Sequence, residues 1–222
     1  MNQRLFVIAP LAAIGLATPA HADDSQAWAT ATVGVAVATD WKVQSETTAR
    51  TGDARGVYEL ESALMVGRKL AKNVTLWTGY VHNPNYSHGT FTVMERRARQ
   101  QLNVDNFARL GPVKVSGRMR LETRWRDGVN GTGWRLRPYV KASLPIAGKT
   151  NLNLSNESFV NLGRTSFQRT DGLERMRTAL TLSTPLSKRI TIEGGYLNQH
   201  AFVRRGRDTD DHVATVTLTA SF

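Results

Sequence analysis

The sequence lacks cysteine altogether, which excludes disulfide bonds and metal sites built on thiolates. After residue 22 it also lacks any apolar run that could cross a bilayer as a helix, which requires roughly 20 residues. A membrane-inserted form would therefore have to be a closed β-barrel, because every backbone polar group must be paired inside lipid. Acidic residues are scarce, with 18 Asp and Glu against 29 Lys and Arg, so the formal charge is +11.

The first 22 residues have the features of a secretory signal peptide. Arg4 is the only charged residue among them, residues 5–16 form an almost unbroken apolar run, and Ala20-His21-Ala22 fits a small-x-small cleavage site. We expect residues 1–22 to be removed and residues 23–222 to form a single domain. A basic composition is typical of nucleic-acid-binding proteins, but export argues against nucleic acid as a partner.

The last ten residues, 213–222, alternate between apolar and hydroxyl side chains, as a strand with two different faces does. Phe222 ends the segment in phase with the apolar set. This pattern resembles the terminal strand of bacterial outer-membrane β-barrels, which the barrel-assembly machinery reads. We therefore expect Phe222 to be an assembly signal. The alternative is an ordinary edge strand of a soluble sandwich.

Similar alternation recurs along the chain and predicts an all-β fold. We expect an antiparallel transmembrane β-barrel of about ten strands, with twelve as the alternative. Residues 28–50 keep one alternation throughout, which fits either one long strand or two strands with an odd-length turn at residues 38–40. The second option would give eleven strands, and we prefer one long or broken strand because bacterial single-chain barrels have even strand numbers. Residues 94–102 have high helix propensity, but their charged side chains alternate, which favours a strand. Short turns alternate with longer polar loops, as expected for the periplasmic and outer ends.

The alternating charged residues predict a charged lumen, because a Lys or Arg on the lipid face costs roughly 2–4 kcal/mol at the bilayer midplane. The clearest rows lie in residues 113–126 and 134–144, which a hairpin would bring side by side. The predicted lumen-lining residues are Glu95, Arg97, Lys114, Arg118, Arg120, Glu122, Arg124, Arg126, Arg135, Arg137, Lys141, Glu157, Arg175 and Arg177.

Three functions are open to such a barrel. Arg and Glu side chains that pair across a narrow interior would fill it and give a structural barrel of no assigned activity, which we favour. A surplus of positive charge would instead line a narrow, anion-preferring pore. The third is a hydrolase or lipid-modifying enzyme at the rim, where Ser87 adjoins His88 and two aspartates adjoin His212.

Sequence motifs give the enzyme little support. G-x-S-x-G, H-E-x-x-H and P-loop patterns are all missing, and the histidine spacings match no metal site. We predict neither a cofactor nor a metal. The expected partners are outer-membrane lipid and lipopolysaccharide, whose phosphates Arg204, Arg205 and Arg207 would meet.

Several short stretches also carry a resemblance to a known family. They are Trp28, Glu95-x-Arg97, Arg120-Leu121-Glu122-x-Arg124, Arg135-Leu136-Arg137, Glu157-x-Phe159-x-Asn161, Arg175 and Gly195-Tyr196-Leu197-x-Gln199. In this order they resemble DUF2490, a family of Gram-negative outer-membrane β-barrels of unknown function. The resemblance covers essentially the whole mature chain and implies a barrel in the outer membrane, without an established activity. Glu174 departs from the pattern, in which an amide precedes Arg175.

Overall fold

Eleven β-strands close into a barrel in the computed structural model, which describes residues 24–168 and 170–222. The strands are β1 (Asp24–Ala38), β2 (Trp41–Gly52), β3 (Gly56–Ala71), β4 (Val74–Ser87), β5 (Thr90–Leu110), β6 (Val113–Arg126), β7 (Gly133–Ala147), β8 (Thr150–Asn161), β9 (Gly172–Pro185), β10 (Ile190–Ala201) and β11 (Thr209–Ser221). The predicted signal peptide, residues 1–22, lies outside the described residues. Within the described part of the chain, no helix is long and apolar enough to cross a membrane.

Side chains alternate between the interior and the outer surface along the strands, as the period-2 sequence pattern predicts. On β6, for example, Arg120 and Glu122 are buried inside the barrel, whereas Met119 and Trp125 are more than 40% exposed on its outer surface. The interior is mainly polar. It also holds one small apolar cluster, on β3 and β4, of Ala63, Met65, Trp77 and Val81.

Tight packing continues beside that cluster, where Gly67 of β3 pairs with Trp77 of β4. A Cβ atom at Gly67 would lie 2.5 Å from the Trp77 ring. The absence of a side chain at this position therefore lets the indole lie against the neighbouring strand.

The barrel closes through one parallel pair of strands. All other neighbours are antiparallel, but β1 pairs with β11 in parallel, from Asp24 opposite Asp211 to Gly34 opposite Ser221. An odd number of up-and-down strands requires this arrangement, because the first and last strands then run in the same direction. Phe222 extends the pairing, since its N–H donates to the Gly34 carbonyl oxygen at 2.8 Å.

The preferred interpretation of residues 28–50 as one long or broken strand is wrong, and the two-strand alternative is correct, because the chain turns at residues 39–40 and β1 and β2 form a hairpin. A register shift beside Ala36 brings residues of equal parity opposite one another, such as Val35 and Val43. The apolar alternation therefore passes through the hairpin without a change of phase, and the sequence pattern does not distinguish the hairpin from one strand. The strand count of eleven lies between the predicted ten and twelve.

The two ends of the barrel differ in the length of their connections. At the end that carries Phe222, which we call the short-turn end, each connection has two to four residues: 39–40, 72–73, 111–112, 148–149 and 186–189. At the opposite, long-loop end, three of the five connections have six to ten residues: 53–55, 88–89, 127–132, 162–171 and 202–208. Because β1 is parallel to β11, Asp24 lies at the long-loop end.

Candidate functional site

The structure places the predicted lumen residues on β5 to β9, mostly in the interior. The nine that are almost completely buried are Glu95, Arg97, Arg120, Glu122, Arg124, Arg135, Arg137, Glu157 and Arg177. Four are half-buried: Arg118, Arg126, Lys141 and Arg175. Lys114 is exposed near the short-turn end, where β6 begins.

Glu122 of β6 is the centre of the interior, with no exposed surface. Its Oε2 accepts hydrogen bonds from Arg135 Nη2 at 2.6 Å and Arg135 Nε at 3.0 Å. Its Oε1 accepts from Arg137 Nη1 at 2.9 Å and from Arg99 Nη2 at 3.3 Å. One carboxylate therefore joins three guanidinium groups, from β5 and β7 on either side of it.

Glu61 of β3 makes a second junction, because it reaches past β4 to the arginines of β5. It accepts from Arg99 Nη2 at 2.6 Å and from Arg97 Nη1 at 2.9 Å. Arg50 of β2 lies 3.6 Å from the same carboxylate. Charge-assisted bonds of this kind are stronger than neutral ones and tie non-adjacent strands together across the lumen.

Glu95 and Glu157 complete the set of bridging carboxylates. Glu95 takes a bidentate contact from Arg124, at 2.9 and 3.0 Å, and a further bond from Arg97 Nε at 2.6 Å. Glu157 of β8 takes a bidentate contact from Arg137, at 3.2 and 2.9 Å, and also pairs with Arg118. We call the buried members the lumenal network: Glu61, Glu95, Arg97, Arg99, Glu122, Arg124, Arg135, Arg137 and Glu157.

The lumenal network separates two cavities. A cavity of about 430 Å³, which we call the vestibule, is lined in part by loop and strand-end residues of the long-loop end, such as Phe202 and Val203. A smaller cavity of about 160 Å³ lies on the other side and is lined by Gln44, Arg118 and others. Glu122 lines neither of these two cavities and has no exposed surface.

Two aromatic rings organise the arginines of the vestibule. The guanidinium carbons of Arg137 and Arg177 lie 4.2 and 4.5 Å from the centroid of Phe159. Those of Arg177 and Arg50 lie 4.4 and 4.7 Å from the Trp28 ring. Stacking on a ring holds a guanidinium plane in place and leaves the N–H groups at its edge available for hydrogen bonds.

The sequence places this arrangement within a known family. The model of the family described as "Protein of unknown function (DUF2490)" matches residues 25–210. The chain belongs to the DUF2490 family. An uncharacterized protein of Methylorubrum extorquens is 28% identical over 201 residues, which cover 88% of this chain and 86% of the relative. No solved structure matches the chain.

The charged motifs of this DUF2490 barrel converge in the lumen. The stretches that carry the resemblance on β5, β6, β7 and β8 supply all of the lumenal network except Glu61 and Arg99. Asn161 Nδ2 donates to the Thr170 carbonyl oxygen at 2.9 Å and to Glu174 Oε2 at 3.2 Å. Glu174, the departure from the expected pattern, also lies 3.9 Å from Arg135 and so adds a carboxylate at the edge of the lumenal network.

Trp28, Phe159 and Gln199 belong to the motifs that carry the family resemblance, but their place beside the arginines of the vestibule was not predicted. The available signal was phase, because Phe159 follows Glu157 by two residues and therefore shares its inward face. An aromatic residue on an otherwise polar face indicates a ring that packs against the charged side chains of the lumen.

The rim of the long-loop end carries other predicted residues of this DUF2490 barrel. His200 contacts two aspartates, Asp210 at 3.0 Å and Asp208 at 3.5 Å. His212 contacts Tyr196, and His88 lies in the turn between β4 and β5 with a φ of 49°. Arg204 and Arg205 line a rim cavity of about 400 Å³, together with Arg164. Among the described residues, no group of three or more His, Asp and Glu is arranged to hold a metal ion.

Proposed function

We propose that this DUF2490 barrel is a structural protein of the Gram-negative outer membrane, with a lumen that the lumenal network closes. In this account it has no through-pore and no enzymatic activity. The observation that carries the proposal is the burial of Glu122 and the three arginines bonded to it at the level between the two cavities.

The outer surface supports placement in a membrane. Every strand contributes a large apolar side chain that is at least 37% exposed, which is unusual for a protein whose surface meets water. Each strand has 12 to 21 residues, more than the roughly 9–11 that span a bilayer at a tilt. The exposed apolar residues include Val35, Trp41, Val66, Leu76, Leu102, Met119, Val140, Leu154, Leu180, Tyr196 and Leu218.

The energetics of the lumenal network favour a filled lumen over an open pore. A steady ion path would require Glu122 to separate from Arg135 and Arg137. Breaking a buried charge pair costs about 3–5 kcal/mol when one partner is left without compensation. Two other carboxylates of this interior join strands that are not neighbours, since Glu61 connects β3 to β5 and Glu157 connects β8 to β6, so an opening would also destabilise the barrel.

The two ends of the barrel support the partners that we propose. Phe222 is 57% exposed at the short-turn end, where the barrel-assembly machinery of the periplasm would meet it. Arg204, Arg205 and Arg207 are exposed in the connection between β10 and β11 at the long-loop end, where they would meet lipopolysaccharide phosphates.

Fractionation and a solute-uptake assay test the proposal together. We expect the protein in the outer-membrane fraction, with a β-rich circular dichroism spectrum in detergent and different gel migration before and after boiling. Liposomes that contain the folded barrel should not swell faster than empty liposomes in small sugars or chloride salts. Recovery as a soluble periplasmic protein would contradict the membrane placement, and rapid chloride-dependent swelling would favour the anion-preferring pore.

A further inference from the structure

We propose that the vestibule binds a phosphate-bearing ligand through Arg175 and Arg177. Both side chains lie on β9 and line the vestibule, which faces the long-loop end. The inference goes beyond the closed barrel, because a filled lumen by itself requires no ligand.

The vestibule has a surplus of positive charge. Nine arginines and five acidic residues line it. The acidic residue on β9 itself, Glu174, accepts from Asn161 Nδ2 at 3.2 Å and lies 3.9 Å from Arg135. Two further acidic residues are also engaged, since Glu59 pairs with Arg50 and Asp211 accepts from Gln199 Nε2 at 2.6 Å. The surplus is therefore not spread evenly but falls on the arginines that have no carboxylate of their own.

Arg175 and Arg177 share one neutral acceptor. Arg175 Nη1 and Arg177 Nε donate to the same Gln199 Oε1, at 3.2 and 2.8 Å. Within the described residues, neither arginine has a carboxylate oxygen within 4.0 Å, and Arg175 Nε has no hydrogen-bond partner. Two guanidinium groups thus converge on a single uncharged oxygen.

Arg177 is held in place as a binding group would be. It is 8% exposed, and its guanidinium carbon lies 4.4 Å from the Trp28 ring and 4.5 Å from the Phe159 ring. Contacts with two rings fix the plane before any ligand arrives, which reduces the entropy that is lost on binding.

Burial of the Arg177 guanidinium without a carboxylate partner carries an energetic cost. A buried charge without an opposite charge destabilises a protein, and a neutral side chain of similar size would fill the lumen at lower cost. Neighbouring positions show the alternative, because Arg137 has two carboxylate partners at 2.9 Å. A bound anion would offset the cost of Arg177, and loss of stability in exchange for function is common at binding sites.

Phosphate suits this site better than a carboxylate does. The guanidinium fork matches phosphate geometry, and the several oxygens of a phosphate can accept from two arginines at once. The vestibule volume of about 430 Å³ is within the range of small-ligand pockets. Two sources have this chemistry, a soluble phosphate ester and the phosphorylated headgroup of lipopolysaccharide.

Inorganic pyrophosphate is the probe for the test, with the full barrel purified in detergent. We expect calorimetry to detect binding to the parent, and pyrophosphate to raise its thermal unfolding midpoint. Arg177→Gln should weaken binding about tenfold or more, while its midpoint without pyrophosphate stays equal to or above that of the parent. The matched control is Lys188→Gln, an exposed cation at the short-turn end, which should bind as the parent does.

Several results would overturn the inference. They are an absence of binding to the parent, parent-like binding by Arg177→Gln, and equal losses in Arg177→Gln and Lys188→Gln. A failure of Arg177→Gln to fold would also overturn it, because the arginine would then be a structural group. A folded barrel that shows no conductance and does not bind pyrophosphate would contradict the phosphate site but agree with the closed lumen. A folded barrel that conducts ions and binds pyrophosphate would support the phosphate site and contradict the closed lumen.

Reconstitution distinguishes the two sources of phosphate. The parent is placed in phosphatidylcholine vesicles with and without lipopolysaccharide, and pyrophosphate affinity is measured again. Lower apparent affinity with lipopolysaccharide, but not with its dephosphorylated form, supports a site that the lipid headgroup occupies. Unchanged affinity supports a site for a soluble phosphate ester.

Discussion

Replacing Glu122 with glutamine perturbs the lumenal network at its centre while almost preserving side-chain volume. The variant removes the negative charge that three guanidinium groups share. Arg137 keeps Glu157 at 2.9 Å and Arg99 keeps Glu61 at 2.6 Å. Arg135 loses most, because among the described residues its remaining ion pair is the one with Glu174, at 3.9 Å.

The expected cost is about 3–5 kcal/mol, since removal of one partner of a buried pair leaves an uncompensated charge. That loss is a large fraction of the 5–15 kcal/mol by which a typical protein is stable. Urea unfolding of the refolded barrel in detergent, followed by circular dichroism and by gel migration, measures it. Combining Glu122→Gln with Arg135→Met should recover part of the loss, with an interaction energy of about 1–3 kcal/mol.

Glu193→Gln is the matched control for this prediction. Glu193 also carries one negative charge in the barrel, but it is 29% exposed and lies 3.5 Å from Lys141. A half-exposed pair contributes about 1 kcal/mol or less, so the control should lower stability only slightly. Equal urea midpoints for Glu122→Gln and Glu193→Gln would refute the reasoning that the buried carboxylate holds the barrel together.

Three further predictions address assembly, the lumen and topology. Deletion of Phe222 should reduce the amount of heat-modifiable barrel in cells, and Phe222→Tyr should be tolerated better than Phe222→Asp because the exposed ring ends an apolar face. Equal assembly of the deletion variant and the parent would show that Phe222 is not a recognition signal. Changing Arg120 and Arg137 together to Glu should lower the urea midpoint of unfolding without creating a steady conductance, because the new glutamates place like charges beside Glu157. A double variant that folds and conducts ions would contradict the filled lumen. Because β1 runs parallel to β11, an epitope inserted before Asp24 lies at the long-loop end and should bind antibody on intact cells, whereas an epitope after Phe222 should bind only in permeabilised cells. The reverse pattern would contradict the parallel closure or the proposed orientation of the barrel in the membrane.

Much of the architecture could be predicted from alternation alone. On β6, the basic and acidic residues occupy even-numbered positions and the large apolar residues occupy odd-numbered positions, so the inward face of the strand could be predicted without the structure. The segment around Met94 to Leu102 has high helix propensity but lies within β5, because burial of its alternate charged side chains in the lumen overrides local preference.

Two features could not be predicted, for different reasons. The sequence pattern does not decide between one long strand and the hairpin of β1 and β2, because the register shift beside Ala36 keeps the apolar residues at the same parity on both sides of the turn. The ion pairs within the lumen could not be predicted, because alternation shows which side chains point inward but not how far along the barrel axis each one lies. Glu61 reaches past β4 to Arg99, a contact that depends on strand tilt and barrel closure.

Planar-bilayer recording of the refolded barrel tests the central claim most directly. The lumenal network, with Glu122 fully buried between Arg135 and Arg137, predicts no steady single-channel conductance while heat-modifiability shows that the same sample is folded. A stable, chloride-preferring conductance from the folded parent would contradict the closed lumen.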